Sequence, residues 1–124
     1  MEKKHKILIV EDEPELAEMF SLGLRDAGFE VLVLNDGLGV AVKIKEAKPD
    51  LVLLDLVMPN MNGYEVLKET KDKTNCAIYV WSNLTQSREI KEAKKLGADG
   101  YLIKSDFTPK GLVEKVKEIL NHKQ

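Results

Sequence analysis

Apolar residues in this chain fall into short, abrupt runs separated by stretches in which they recur every third or fourth position. Lys6-Ile-Leu-Ile-Val10 is such a run, ends in the acids Glu11-Asp12-Glu13, and predicts a strand. Pro14 suits a first helical position, and Leu16, Phe20, Leu24 and Ala27 recur at helical spacing before Gly28, predicting a helix from about Pro14 to Ala27. Val31-Leu-Val-Leu34 predicts a second strand closed by Asn35-Asp36-Gly37, and Leu38 to Ala47 a weaker helix ending before Pro49. Leu51-Val-Leu-Leu54 lies between Pro49-Asp50 and Pro59-Asn60 and fits a strand buried on both faces. A loop from Met58 to Gly63 then leads to a helix carrying Tyr64, Val66, Leu67 and Thr70. Ala77-Ile-Tyr-Val-Trp81 is the fourth predicted strand, terminated by Ser82-Asn83. Ile90, Ala93 and Leu96 mark a fourth helix that stops at Gly97, and Tyr101-Leu-Ile103 a fifth strand ending at Lys104. Thr108-Pro109 opens a last helix with Leu112, Val113, Val116, Ile119 and Leu120 on one side.

Five strands alternating with five helices predict an α/β fold with right-handed crossovers and helices on both faces of a parallel sheet. The doubly wound, flavodoxin-like order for five strands is 2-1-3-4-5, which places the first and third strands side by side where the winding reverses.

At 124 residues the chain suits one domain spanning residues 1–124. Charged residues make up 32%, the net charge is −2, and acids and bases are interleaved, so no nucleic-acid arm or membrane-surface helix is expected. The longest apolar runs are too short for a membrane span or a leader, which predicts a cytoplasmic protein. The single Cys76 cannot form an internal disulfide, and His5 and His122 near the two ends give no zinc-ligand spacing.

The strand order has a chemical consequence. Adjacent strands lie about 4.8 Å apart, so Glu11 and Asp12 after the first strand should stand close to Asp55 after the third. Three crowded carboxylates raise one another's pKa and repel, and a hard divalent cation relieves that cost, so a Mg2+ site is expected. Glu13 is read as complementing the positive end of the first helix. Ser82 and Lys104, at the ends of the fourth and fifth strands, add a hydroxyl and a cation suited to the oxygens of a phosphoryl group carried on Asp55.

The segments Ile7-Leu-Ile-Val-Glu-Asp-Glu-Pro14, Leu53-Leu-Asp-Leu-Val-Met-Pro-Asn-Met-Asn-Gly63, Ser82 and Gly97-Ala-Asp-Gly-Tyr-Leu-Ile-Lys104 resemble the CheY-like receiver domains of two-component response regulators over all five strand-helix units. The resemblance implies Asp55 as phosphoacceptor, with Glu11, Asp12, Asp55 and the backbone carbonyl of Val57 as Mg2+ ligands. It further implies Ser82 and Lys104 as phosphoryl-binding groups, and Ser82 and Tyr101 as a switch pair that alters the face of the fourth helix, fifth strand and fifth helix. The implied partners are a sensor histidine kinase or histidine phosphotransfer protein and a downstream target protein, with a homodimer through that same face as a further possibility, no direct nucleic-acid contact and no membrane. The chain departs from the family pattern in carrying Ser105 where a proline usually follows the lysine, Asn83 where a small residue is usual, and the bulky Trp81 before Ser82. Narrowed access to Asp55 is the expectation that follows. Val57 and Leu84 stand where polar side chains in relatives orient the hydrolytic water, which predicts a long-lived phosphoryl group.

Three other readings compete. A dehalogenase-like phosphatase needs a second Asp two residues after the nucleophile, where this chain has Val57. A nucleotide or flavin binder needs a first loop rich in Gly, Ser or Thr, where this chain has acids. A receiver-like module that binds partners without phosphorylation stays open. The chain is read as a signalling module and not as a turnover enzyme, although it would catalyse its own phosphorylation and dephosphorylation.

Overall fold

A computed structural model describes residues 4–58, 63–70 and 75–122. In chain order these form β1 (Lys6–Val10), α1 (Pro14–Asp26), β2 (Glu30–Leu34), α2 (Val40–Ala47), β3 (Leu51–Leu54), α3 (Gly63–Thr70), β4 (Ala77–Ser82), α4 (Ser87–Lys95), β5 (Gly100–Ile103) and α5 (Pro109–His122), with a short 3-10 turn over Lys104–Asp106. The five strands are all parallel and run β2-β1-β3-β4-β5. The predicted doubly wound sheet is therefore the observed one.

Strand periodicity decides which layer each side chain joins. Ile7, Ile9, Leu51, Leu53, Trp81 and Leu102 point to one face, where they pack against Phe20 and Leu24 of α1 and Leu112, Val116 and Leu120 of α5. Leu8, Val10, Val52, Leu54, Ile78 and Val80 point to the other and meet Val40 and Ile44 of α2, Val66 and Leu67 of α3, and Ala93 of α4. Burial on both faces explains why these strands read as continuous apolar runs.

Local chemistry sets the element ends. Pro14 begins α1, and Gly28, at φ +102°, lets the Phe29 N–H turn back to the Leu24 carbonyl at 3.1 Å. The second helix starts at Val40 and not at Leu38 as predicted. The Leu38 N–H donates to Asp36 Oδ1 at 2.9 Å and Gly39 adopts φ +83°, so these residues form a turn and leave Leu38 exposed. At α5, Thr108 caps the helix as predicted, its Oγ1 accepting the Gly111 N–H at 3.0 Å. Of the loop predicted from Met58 to Gly63, positions 59–62 lie outside the described residues. Among the described residues no helix is long and apolar enough to cross a membrane.

Candidate functional site

The register of β1 on β3 pairs Val10 with Leu54, so the next residues, Glu11 and Asp55, leave the sheet side by side. The Asp55 N–H continues the ladder to the Val10 carbonyl at 3.1 Å, which fixes the backbone beneath the carboxylate. Glu11 is anchored twice over: its N–H donates to the Leu34 carbonyl at 2.9 Å and its own carbonyl accepts from Asn35 Nδ2 at 3.2 Å. Two strands on either side of β1 thus define where the acids stand.

The carboxylates of Glu11, Asp12 and Asp55 converge, with one oxygen from each lying within 4.8 Å of the others. Glu11 is wholly buried and Asp55 nearly so, whereas Asp12 keeps contact with solvent. Lys104 reaches in from the end of β5, its Nζ donating to Asp55 Oδ2 at 2.9 Å and lying 2.6 Å from Glu11 Oε1. The contact with Glu11 Oε1 is a close ion pair inside the same buried space. Glu11 Oε2 accepts from the Glu13 amide at 3.1 Å and Asp55 Oδ1 from the Val57 amide at 3.2 Å.

Electrostatics here are those of a group of acids short of cations. Burial raises the pKa of Asp55, and the Lys104 bond, its charge and the Val57 amide only partly offset this, while Asp12 adds repulsion. Glu11 is likewise raised, first by burial, with Lys104 and the Glu13 amide opposing. Burial alone would disfavour the Lys104 ammonium, but its bonds to Glu11 and Asp55 outweigh that and raise its pKa. Three carboxylates against one ammonium leave a formal charge of −2 in a largely buried space.

The remaining predicted residues gather at the same rim. Ser82 ends β4 as its last residue, is buried, and accepts the Leu84 N–H on Oγ at 3.1 Å. Tyr101 is half-buried and donates its hydroxyl to the Leu84 carbonyl at 2.8 Å, so both switch candidates grip one residue of the β4–α4 loop. Burial raises the Tyr101 pKa, against a hydrogen-bonding contribution from Ser82. The Val57 side chain is 62% exposed, so only its backbone takes part in the cluster. Trp81 does not obstruct the approach: it turns into the α1–α5 layer, edge-on to Phe20 with ring centres 4.9 Å apart and beside Phe107.

Gly63 is a contributor that the sequence did not single out as one. A Cβ there would lie 2.5 Å from the Asp55 carbonyl oxygen and 2.6 Å from Leu56 Cα, so glycine is what lets α3 start hard against the backbone of the acidic strand end. Its N–H donates to the Leu56 carbonyl at 2.8 Å. The close approach involves residues seven or more positions apart and carries no periodicity; only the Asn62-Gly63 turn signal marks the place.

The chain is 36% identical over 121 residues to the DNA-binding response regulator MtrA of Mycolicibacterium smegmatis, covering 98% of this chain and 53% of that protein. The chain spans about half the length of the curated relatives it matches. Their name does not support the expectation of no nucleic-acid contact for a whole protein of this kind. Among solved structures, a CheY-like receiver domain protein from Methanospirillum hungatei superposes with TM-score 0.89 at 25% identity, covering 98% of this chain and 97% of that one. Chemotaxis protein CheY4 of Vibrio cholerae does so at 0.86 and 30%, covering 94% and 99%. The model of the response regulator receiver domain matches residues 7–117, nearly the whole sheet and its helices, and the chain belongs to that family.

Proposed function

We propose that residues 1–124 act as one phosphoacceptor receiver unit in which an Asp55 carboxylate oxygen takes a phosphoryl group from a phosphohistidine on a sensor histidine kinase or histidine phosphotransfer protein. In that transfer the N–P bond breaks as the new O–P bond forms, and the imidazole retains the electron pair. The observation that carries the reading is the buried Lys104 ammonium held 2.9 Å from Asp55 Oδ2 beside a cluster of acids it cannot neutralise alone.

Glu11, Asp12, Asp55 and the Val57 carbonyl would hold Mg2+. The donor set supports this: all-oxygen, partly solvated and formally −2 even with Lys104 counted. When bound, the ion supplies positive charge that offsets the carboxylates and steadies the oxygens of the incoming phosphoryl group. Lys104 contributes the second positive charge, already desolvated and aimed at Asp55, so little reorganisation is needed as charge develops. Ser82 contributes a hydroxyl donor, its Oγ accepting the Leu84 N–H in this arrangement.

Because Ser82 and Tyr101 hold the two ends of Leu84, a change at the first is felt at the second, and the α4-β5-α5 face is the surface offered to a downstream target or to a second copy. On this reading the chain is a switch and not an enzyme acting on a small substrate. The test is intact mass after incubation with Mg2+ and acetyl phosphate, for wild type and Asp55→Asn. A gain of one phosphoryl group in the wild type alone supports the proposal; no gain in the wild type favours a module that binds partners without phosphorylation.

A further inference from the structure

The loop that follows β4 and the turn that follows β5 meet in space. The Ser105 N–H, in the 3-10 turn that carries Lys104, donates to Asn83 Oδ1 at 2.9 Å across 22 residues of sequence. Asn83 sits between Ser82 and Leu84, whose Oγ and N–H are bonded to each other, and Leu84 is in turn held by the Tyr101 hydroxyl. The β4–α4 loop is therefore held by three hydrogen bonds in an arrangement that places Ser82 Oγ on the Leu84 N–H. If Ser82 Oγ swings toward a phosphoryl group on Asp55 it moves off the Leu84 N–H, and a shift of the backbone at 83 and 84 lets that N–H find another partner. The Asn83 bond resists the shift by tying the loop to the Lys104 turn, itself anchored through the buried ammonium.

We propose that Asn83 is a positioning residue whose side-chain carbonyl, by accepting the Ser105 N–H, latches the Ser82 loop to the Lys104 turn and holds the domain in its resting arrangement. The inference rests on the phosphoacceptor reading of Asp55 and adds a brake to it. The donor is a backbone group, so the identity of the Ser105 side chain does not matter, and only loss of the N–H, as in a proline, removes the latch. One exposed neutral hydrogen bond biases an equilibrium by roughly two- to fivefold.

The experiment titrates beryllium fluoride, a phosphoryl mimic that binds carboxylates, into the Mg2+-loaded protein by isothermal calorimetry. Apparent affinity reports how much of the population is already released. Asn83→Ala and Ser105→Pro are each expected to bind the mimic roughly two- to fivefold more tightly than wild type, with the double substitution no tighter than either single one. Ser105→Ala, which keeps the N–H, is expected to match wild type and serves as the control for general disturbance of the turn. Unchanged or weaker binding by Asn83→Ala, or additive effects in the double substitution, overturns the latch while leaving the Asp55 reading standing. A wild type that fails to bind the mimic at all sinks both.

Discussion

The Lys104 ammonium and the Asp55 carboxylate are 49 residues apart in sequence and 2.9 Å apart in space, both buried at the same rim of the sheet. Lys104 is the cation that touches Glu11 as well, and its replacement by an apolar side chain of similar length leaves acids facing one another. Lys104→Met is expected to slow phosphorylation of Asp55 by about 10²-fold, the scale of removing one preorganised charge-stabilising donor. In divalent-free buffer it is expected to lose about 3 kcal/mol of stability, as when one partner of a buried ion pair is removed. Urea unfolding with and without Mg2+ checks the second point, and the loss should shrink when the cation is present.

The raised pKa values of Asp55 and Glu11 give the stability of the divalent-free protein a definite pH dependence. A carboxyl group that binds its proton more tightly in the fold contributes most below its ordinary pKa, 3.8 for Asp and 4.5 for Glu, and loses that contribution as pH rises through the higher folded value. Asp55→Asn removes one of the two groups. At pH 7 in chelator it is expected to melt at a higher temperature than wild type, with the gap closing as pH falls toward 4. A lower melting temperature for the variant at pH 7 would contradict the charge balance described above. The Lys104 contribution, raised from 10.5, persists across this window and fades only in alkali.

Gly63→Ala tests how tightly α3 is pressed against the strand that bears Asp55. The added Cβ meets backbone atoms that cannot rotate away, so the strand end or the helix must move. A destabilisation of about 1–3 kcal/mol is expected. Because the Asp55 carbonyl is one of the atoms displaced, phosphorylation should slow by more than stability alone would explain. Chemical denaturation and the acetyl phosphate reaction on the folded protein separate the two effects.

Dephosphorylation is expected to be slow. Val57 is largely exposed and Leu84 packs partly into the α2–α4 layer, so neither offers a polar group to a water attacking the phosphoryl group. Val57→Asn should shorten the lifetime by about tenfold, equivalent to roughly 1.4 kcal/mol of barrier. Loss of the added mass after removal of the phosphodonor gives the rate, and a wild-type half-life of only a few seconds would count against the proposal.

Much of this was legible in the sequence because the signals were local or periodic. Each buried strand is an apolar run, each run stops at a polar residue, and the alternation of strands with helices dictates that Glu11, Asp12, Asp55, Ser82 and Lys104 end up on one edge. The start of α2 was misread since Leu38 fits a helical stripe, yet the Asp36 side chain captures its N–H and turns the chain first. The grip of Ser82 and Tyr101 on Leu84, the approach of Gly63 and the Asn83–Ser105 bond escaped altogether. Each depends on backbone atoms brought together by packing, and a backbone carbonyl or amide leaves no trace in residue identity.

Trp81 and Ser82 are consecutive, yet the pleat of β4 sends the indole into the α1–α5 layer while the strand alternation turns Ser82 the other way, with Val80. The indole packs edge-on to Phe20 and beside Phe107, one residue from the Ser82 hydroxyl. The tip of β4 is thereby keyed into the α1–α5 layer by aromatic contacts on one side, while on the other Ser82 meets the loop toward α4 through the Leu84 N–H.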